Sequence, residues 1–523
     1  MAESEHPETL YMAIAEAYDG LGDEAMALKY AYLDIENGRQ ASTYASRSYR
    51  ILLRRLAARP AAFEERREAA RRATKDFPEL PEFHAEYAEC LAYGFDYAGA
   101  CREAAAALAA FDAYHGLEPL QFDAAMRAAV EERRALWEKI QARQEAVTVS
   151  ACLIARDEAR DLLFWLENTA AYSDERVVVD TGSRDETAEL ARAAGAKVYD
   201  FPWQDDFAAA RNFALSKATG DWIAFLDADE AFTVPERVRP LLAEVEVLHP
   251  EAEAVKVMIA NVDEDDGGRE FQRFMAVRLF KRRPDLGYRG RVHETLMGEN
   301  GLSPALYEEK HRLLIRHTGY STKRVVQKAR RNLALLQADI EAHGEGPQHY
   351  PGLADAYFGL KAYRQALKYA VLALDSLLDT VAARSTMFHT AIESMRQLDW
   401  DLSEMLMLAE CAVREFPKKP EFYGERGMIL CGMGRLKEAR VSLQRAVALY
   451  ERPEDEGIEA GYYSPRTASV VYARLGELAA LAGDTAEAET YFRQALTTDP
   501  TNETARQKYE KFCREGERHE REG

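Results

Sequence analysis

This 523-residue chain is short of cysteine, of basic charge and of long apolar runs, and each shortage removes a class of protein. Its six cysteines (Cys90, Cys101, Cys152, Cys411, Cys431, Cys513) are scattered, with no CxxC pair. That spacing excludes a disulfide framework and a thiolate zinc site, and predicts free buried thiols in a reducing compartment. The net charge is −21, where a general nucleic-acid binder would show a basic face. No nucleic-acid partner is expected, although a nucleotide bridged by a metal stays open. No apolar run approaches the roughly 20 residues of a membrane span, so no transmembrane segment is expected. The start, Met1 to Glu8, is acidic where a secretory signal would be basic and then apolar. A cytoplasmic protein is the expectation, with peripheral association with membrane or secretion machinery left open. Neither GxGxxG nor GxxxxGK[ST] occurs, which weakens the dinucleotide and P-loop readings.

What is present is a globular composition, 47% apolar and 30% charged, with a length suited to about three domains. Residues 1–145 read as helix after helix. Leu10, Ile14, Ala17 and Tyr18 recur at helical spacing, Gly20 to Asp23 break the pattern, and Ala25, Ala27, Leu28 and Tyr32 resume it. The far end repeats the theme, since Phe77-Pro78 to Phe83 matches Phe416-Pro417 to Phe422 and the match runs on without a gap. From Leu475-Gly476 the chain has Ala488, Phe492, Ala495 and Pro500, the spacing of a 34-residue tetratricopeptide repeat. Tyr357-Phe358-Gly359 with Ala366 and Ala370 is a looser copy. An N-terminal repeat domain over 1–145, a C-terminal one over 323–512 and a charged tail over 513–523 are predicted. Such arrays bind extended peptides or proteins. The rival reading is a helical spacer or dimerisation element, giving a homodimer through the repeats.

Over 146–322 the period changes. Val147 to Ile154 is β-rich, and Asp157-Glu158 opens a helix with Leu162, Trp165, Leu166 and Thr169 on one face. Arg176 to Val179 forms a second strand, ending in Asp180-Thr181-Gly182-Ser183. Ser183 and Glu186 have capping-box spacing for the next helix, which Gly195 ends. A third strand (197–201), a third helix (207–219) and a fourth strand (221–226) follow. Alternation of this kind implies a mainly parallel, Rossmann-like sheet. Beyond Glu230 the alternation stops. Two strand-like runs (254–262 and 271–280) flank a hairpin loop, and a short strand covers 312–317.

Acidic and basic residues converge on one edge of that sheet: Arg156-Asp157-Glu158, Asp180, Arg211-Asn212 and Asp227-Ala228-Asp229. Two carboxylates one residue apart at a strand end suit a hard divalent cation that also touches substrate phosphates. Taken alone, an Asp-x-Asp is better explained by a solvated acidic turn. In this setting Asp229 is the metal ligand, and Asp227 contacts metal or ribose. Asp205 and Asp206 are placed to cap the next helix, and Trp203 packs or stacks on a sugar.

Val149 to Ile154 with Asp157-Glu158, Val178 to Thr187, Asp205 to Phe207 with Ala210-Arg211-Asn212, and Leu226 to Glu230 together resemble family 2 glycosyltransferases of the GT-A fold. The resemblance covers about 147–320. Joined to tetratricopeptide repeats, it is similar to bacterial protein-modifying members, peptide S-glycosyltransferases and flagellin glycosyltransferases among them. The first motif reads Arg156-Asp157-Glu158 where the family more often has Asn before the Glu.

The resemblance implies a GT-A mixed sheet between N- and C-terminal helical repeats. It implies an inverting hexosyl or N-acetylhexosaminyl transfer from a nucleotide-diphosphate sugar, of UDP type, with Mn²⁺ or Mg²⁺. Glu158, Asp180, Ser183, Arg211 and Asp227 would bind the nucleotide-sugar, with Asp180 at the base edge. Asp227 and Asp229 would be the metal pair, and Asp229 would serve catalysis through it. Direct displacement needs a general base, and Glu294 is the candidate, with an ordinary surface Glu as the rival reading. His317 is a further candidate metal ligand, or a structural hydrogen-bonder, and His293 is ambiguous in the same way. The acceptor would be a protein or peptide held by the repeats, flagellin being one kind. A surface polysaccharide or lipid-linked glycan, or an inactive sugar-nucleotide domain on a repeat scaffold, are the alternatives.

Overall fold

Two helical segments enclose a β-rich one along the chain. The structure, a computed structural model, describes residues 10–37, 45–59, 62–115, 120–263, 268–292, 294–299, 305–307, 313–318, 322–376, 381–451 and 465–522. The chain divides into two compact units, one of residues 1–147 with 236–251 and one of residues 148–235 with 252–523.

The first unit is built of antiparallel helix pairs between Tyr11–Leu21 and Ala124–Ala146. The small residues that set the sequence pattern are its core: Ala27, Ala31, Ala70, Ala73, Ala100 and Ala104 are buried, letting helix axes approach closely. The helix Val238–Leu248, absent from the sequence expectation, belongs here. Its Glu244 accepts from Tyr97, its Glu246 pairs with Arg143, and Arg239 Nη1 donates to the Val147 carbonyl at 3.0 Å.

The second unit opens with β1 (Val149–Ala155), β2 (Glu175–Asp180), β3 (Lys197–Asp200) and β4 (Trp222–Phe225), each pair linked through a helix. β5 (Glu230–Phe232), β6 (Ala254–Asp263), β7 (Arg269–Lys281), β10 (Ala305–Tyr307) and β11 (Leu314–His317) complete one sheet, and β8 (Gly287–Arg289) pairs with β9 (Thr295–Met297) as a separate hairpin. The order is β3-β2-β1-β4-β7-β6-β11-β5, with β10 also on β6. β1 to β4 are mutually parallel, while β7 runs antiparallel to both β4 and β6. This is the expected parallel half followed by a mixed half. β1 and β4 are buried along most of their length, as strands covered on both faces must be.

Glu175 ties the start of this sheet together. Its carboxylate accepts from Ser150 on β1, Lys197 on β3 and both the amide and hydroxyl of Thr219 before β4. Burial works against its charge, but those hydrogen bonds outweigh burial and hold its pKa at about 2.

The C-terminal array obeys the repeat spacing. Helices Phe63–Asp76 and Pro81–Tyr93 reappear as Leu402–Glu415 and Pro420–Gly432, with the same lengths and the same link. In the last copy, Ala488, Phe492 and Ala495 are buried, and a Cβ on Gly476 would come within 3.1 Å of the Phe492 ring. A side chain there would force the Phe492 ring to give by a few tenths of an ångström, so glycine suits that approach of Pro465–Leu481 to Thr485–Thr498. The looser copy also holds, with Ala366 and Ala370 fully buried.

Three local expectations fail. Cys90 and Cys152 are buried, with burial pushing the Cys90 thiol up to about 12, but Cys411 and Cys513 are exposed and the other two half-buried. The helix after β2 starts at Thr187, and its N-cap Glu186 makes no side-chain cap, so the Ser183–Glu186 capping box is not used. Ser183 is drawn instead to Asp180 and to the Asp157 amide, and Asp185 takes the Thr187 amide at 3.0 Å. Strands β5 and β8 to β10 went unpredicted; each is three residues long, too short for a period to register.

Candidate active site

Strand order β3-β2-β1-β4 places the topological switch between β1 and β4, where an open α/β sheet leaves a crevice beyond its carboxyl ends. The loops after β1 and β2 are joined there. Asp157, held at φ +57°, accepts from the Arg184 amide at 2.7 Å, and its own amide donates to Ser183 Oγ at 3.0 Å. The Glu158 amide donates to Thr187 Oγ1 at 2.9 Å. Asp180 closes the β2 turn by accepting from the Ser183 amide at 3.1 Å and from its hydroxyl. Glu158, Asp180 and Ser183 therefore share one rim of the crevice.

The other rim is the turn after β4. Asp227 and Glu230 close it: the Glu230 amide donates to the Asp227 carbonyl at 3.0 Å, and the Asp227 amide to Glu230 Oε2 at 3.2 Å. Glu230, 1% exposed, is held from the far side by Arg278, with Nε–Oε2 at 2.7 Å and Nη2–Oε1 at 2.8 Å. Sequence reading gives Glu230 no role beyond the acidic stretch Leu226 to Glu230, and it passes over Arg278. The position of Glu230, directly after Asp-Ala-Asp, was the available signal; Arg278 lies 48 residues on in an apolar strand and offered none.

Arg211 joins this turn to the β8–β9 hairpin. Its Nη2 donates to Asp227 Oδ1 at 2.9 Å and its Nε to Glu294 Oε1 at 2.6 Å. The guanidinium sits 4.6 Å from the Phe225 ring centroid and 5.3 Å from that of Tyr288. The next residue, Asn212, fixes the hairpin: its amide donates to the Tyr288 carbonyl at 2.8 Å and its Oδ1 accepts from the Tyr288 amide at 2.7 Å. Burial disfavours the charge on Asp227, but Arg211, Arg278, His317 and Lys328 together hold its carboxyl well below the usual range. Arg211, Asp227 and Glu294 are thus one cluster, drawn from a helix, a strand end and a hairpin loop.

Asp229 faces His317, its Oδ2 lying 3.4 Å from Nε2. Pairing brings them together, because His317 lies opposite both Glu230 on β5 and Asn261 on β6. Asn261 Oδ1 is 2.9 Å from His317 Nδ1, an arrangement in which Nδ1 carries the proton and Nε2 turns to the carboxylate. Burial lowers the His317 pKa, but Asp229, Glu230 and Asp227 raise it further, for a net rise. Among the described residues no three Asp, Glu, His or Cys side chains are gathered as a closed metal cage. Asp227 turns one oxygen to Arg211, whereas Asp229 faces His317. One or two protein ligands suffice for a cation that takes its remaining ligands from phosphate and water.

Asp206 caps the helix Phe207–Lys217, accepting from the Ala209 amide at 2.9 Å. Asp205 instead accepts from Trp203 Nε1 at 2.7 Å, and the Trp203 ring packs edge-on against Phe207 with centroids 4.8 Å apart. His293 lies outside the described residues.

Residues 150–297 match the family model "Glycosyl transferase family 2", and residues 470–502 match "Tetratricopeptide repeat". A TPR repeat-containing protein of Synechococcus elongatus is 33% identical over 264 residues, which are 48% of this chain and 63% of that protein. The SPbeta prophage-derived glycosyltransferase SunS of Bacillus subtilis is 25% identical over 216 residues, 39% of this chain and 48% of that protein. This chain therefore spans about half to under two thirds of the length of these relatives. Among solved structures, glucosyl-3-phosphoglycerate synthase from Mycobacterium tuberculosis, in complex with Mn²⁺, UDP and glucosyl-3-phosphoglycerate, aligns at 21% identity and a TM-score of 0.20 over 24% of this chain and 47% of its own. No helix among the described residues is long and apolar enough to cross a membrane. The domain built around this crevice is a family 2 glycosyltransferase domain, carried in one polypeptide with tetratricopeptide repeats.

Proposed function

We propose that this protein transfers a sugar, with inversion, from a nucleotide-diphosphate donor of UDP type to a protein or peptide acceptor held by its helical repeats. The observation that carries the reading is the Arg211 cluster. One guanidinium joins Asp227 at the end of β4 to Glu294 on the β8–β9 hairpin, next to the Asp229–His317 pair. Asp180, Ser183 and Glu158 face the nucleoside end of the donor, and Asp227 contacts ribose or cation through Oδ2. Asp229 and His317 hold Mn²⁺ or Mg²⁺, which when bound supplies Lewis-acid stabilisation of the departing diphosphate. Glu294 takes the proton of the acceptor nucleophile as it attacks the anomeric carbon. Arg211 aims that carboxylate, and the pair must loosen for the proton to move, since an arginine-bound carboxylate is a poor base.

The test is release of UDP from a panel of UDP-hexoses and UDP-N-acetylhexosamines with Mn²⁺ or Mg²⁺. Sugar transfer to peptide acceptors, flagellin among them, is followed by intact mass and compared with transfer to oligosaccharides. Turnover of at least one donor and mass addition to a polypeptide is the expected result. Transfer to oligosaccharide alone would overturn the acceptor assignment, and no donor turnover would overturn the activity.

A further inference from the structure

One guanidinium beside the site has no carboxylate partner among the described residues. Arg331 lies on the helix Thr322–His343, which follows β11 and leads into the C-terminal array. Its Cζ is 5.0 Å from the centroid of the Phe207 ring. Phe207 is the first residue of the helix on which Arg211 follows one turn later. The carboxylates whose fields reach Arg331 are Glu294, Asp227 and Glu158, all three of them residues of the candidate site.

Three other arginines near the site are committed to carboxylates: Arg211 to Asp227 and Glu294, Arg278 to Glu230, and Arg291 to Asp339. Arg331 forms no ion pair among the described residues. Its Nε and Nη2 both lie 3.3 Å from Oδ1 of Asn332, its own neighbour. The Arg331 side chain is exposed, so a guanidinium with no carboxylate partner among the described residues is open to an arriving anion. The planar fork of arginine matches phosphate oxygens two at a time.

The helix is also fastened in place. The Phe207 amide donates to the Arg291 carbonyl at 3.0 Å, and Arg291 Nε lies 3.3 Å from Asp339, two turns beyond Arg331. Asp339 is held in turn by His349 at 2.9 Å. Arg331 is therefore presented by a scaffold that also anchors the Glu294 loop.

We propose that Arg331 binds the diphosphate of the nucleotide-sugar donor, so that the helical array supplies part of the donor site. The inference rests on the donor class proposed above. It predicts that phosphate recognition, and not base recognition, depends on a residue outside the strands and loops of the transferase sheet.

Calorimetric titration of the full chain with Mn²⁺ tests it, using UDP, GDP, dTDP, inorganic pyrophosphate and uridine as probes. Arg331→Gln should weaken the best-bound nucleoside diphosphate, and pyrophosphate, by tenfold or more. Uridine affinity and the melting temperature should stay at the wild-type values, and Arg331→Lys should recover part of the loss. If the wild type binds a nucleoside diphosphate and Arg331→Gln binds it as tightly, the proposal is overturned while the donor reading stands. An equal loss for uridine also overturns it, because the residue would then be acting through the fold. If the wild type binds none of the nucleoside diphosphates, the donor reading fails and takes this inference with it.

Discussion

Glu230 and Arg278 meet in a two-pronged ion pair, at 2.7 and 2.8 Å, directly behind the turn that carries Asp227 and Asp229. The carboxylate is almost wholly enclosed and also accepts the Asp227 amide at 3.2 Å. One pair thus joins the rigidity of the sheet to the aim of the two site aspartates.

Removing one member of such a pair strands a buried charge. Arg278→Ala is expected to destabilise the fold by about 3–5 kcal/mol, read as a lower midpoint in urea unfolding. A change below about 1 kcal/mol would show that Glu230 finds another partner or becomes protonated at little cost.

Arg211 makes two directed hydrogen bonds while its guanidinium also touches the rings of Phe225 and Tyr288. Lysine offers a point charge and cannot reproduce both bonds and the stacking. Arg211→Lys should therefore lower kcat for sugar transfer by about 100-fold or more, the scale set by losing a preorganised donor. Activity within threefold of wild type would reduce Arg211 to a charge-balancing role.

Asp229 and His317 are the facing pair assigned to the cation. Donor hydrolysis should require Mn²⁺ or Mg²⁺, stop in EDTA and fall by orders of magnitude in Asp229→Ala. Equal turnover by the chelated enzyme would remove the metal assignment and leave the nucleotide site intact.

Glu175 sets an acid limit on stability. Its folded pKa of about 2 lies below the ordinary glutamate value, so its contribution is complete above that ordinary value. It is lost as the pH falls from about 4.5 toward 2. Converted by linkage, the shift amounts to roughly 3 kcal/mol. Unfolding of wild type and Glu175→Gln should differ by an amount of that order at pH 7 and converge near pH 2. A constant difference across that range would assign the effect to packing.

The helical repeats were legible because their signal is local and repeated. Small residues at fixed spacing, with Phe-Pro links, recur at both ends of the chain, and the helices Pro81–Tyr93 and Pro420–Gly432 reproduce that match. The parallel half of the sheet was legible for a similar reason, since strands of four to seven residues, most of them largely buried, alternate with helices. Ser183 shows the limit of spacing arguments. Its distance from Glu186 fits a capping box, yet its hydroxyl is taken by Asp180 and the Asp157 amide, partners that spacing along one helix does not reveal.

By itself, the order of residues determined which side chains were available: carboxylates at the ends of β1, β2 and β4, an Arg-Asn pair before β4, and helix-forming repeats on both flanks. Only the tertiary structure decided their partners. His317 reaches Asp229 because β11 pairs with β5 and β6, Glu294 reaches Arg211 because Asn212 docks the β8–β9 hairpin, and Glu230 is held by Arg278 across the sheet. Each of these contacts joins residues 48 or more positions apart. Periodicity reports only on neighbours along the chain, whereas the field around a carboxylate is set by whichever charges the fold brings within a few ångströms.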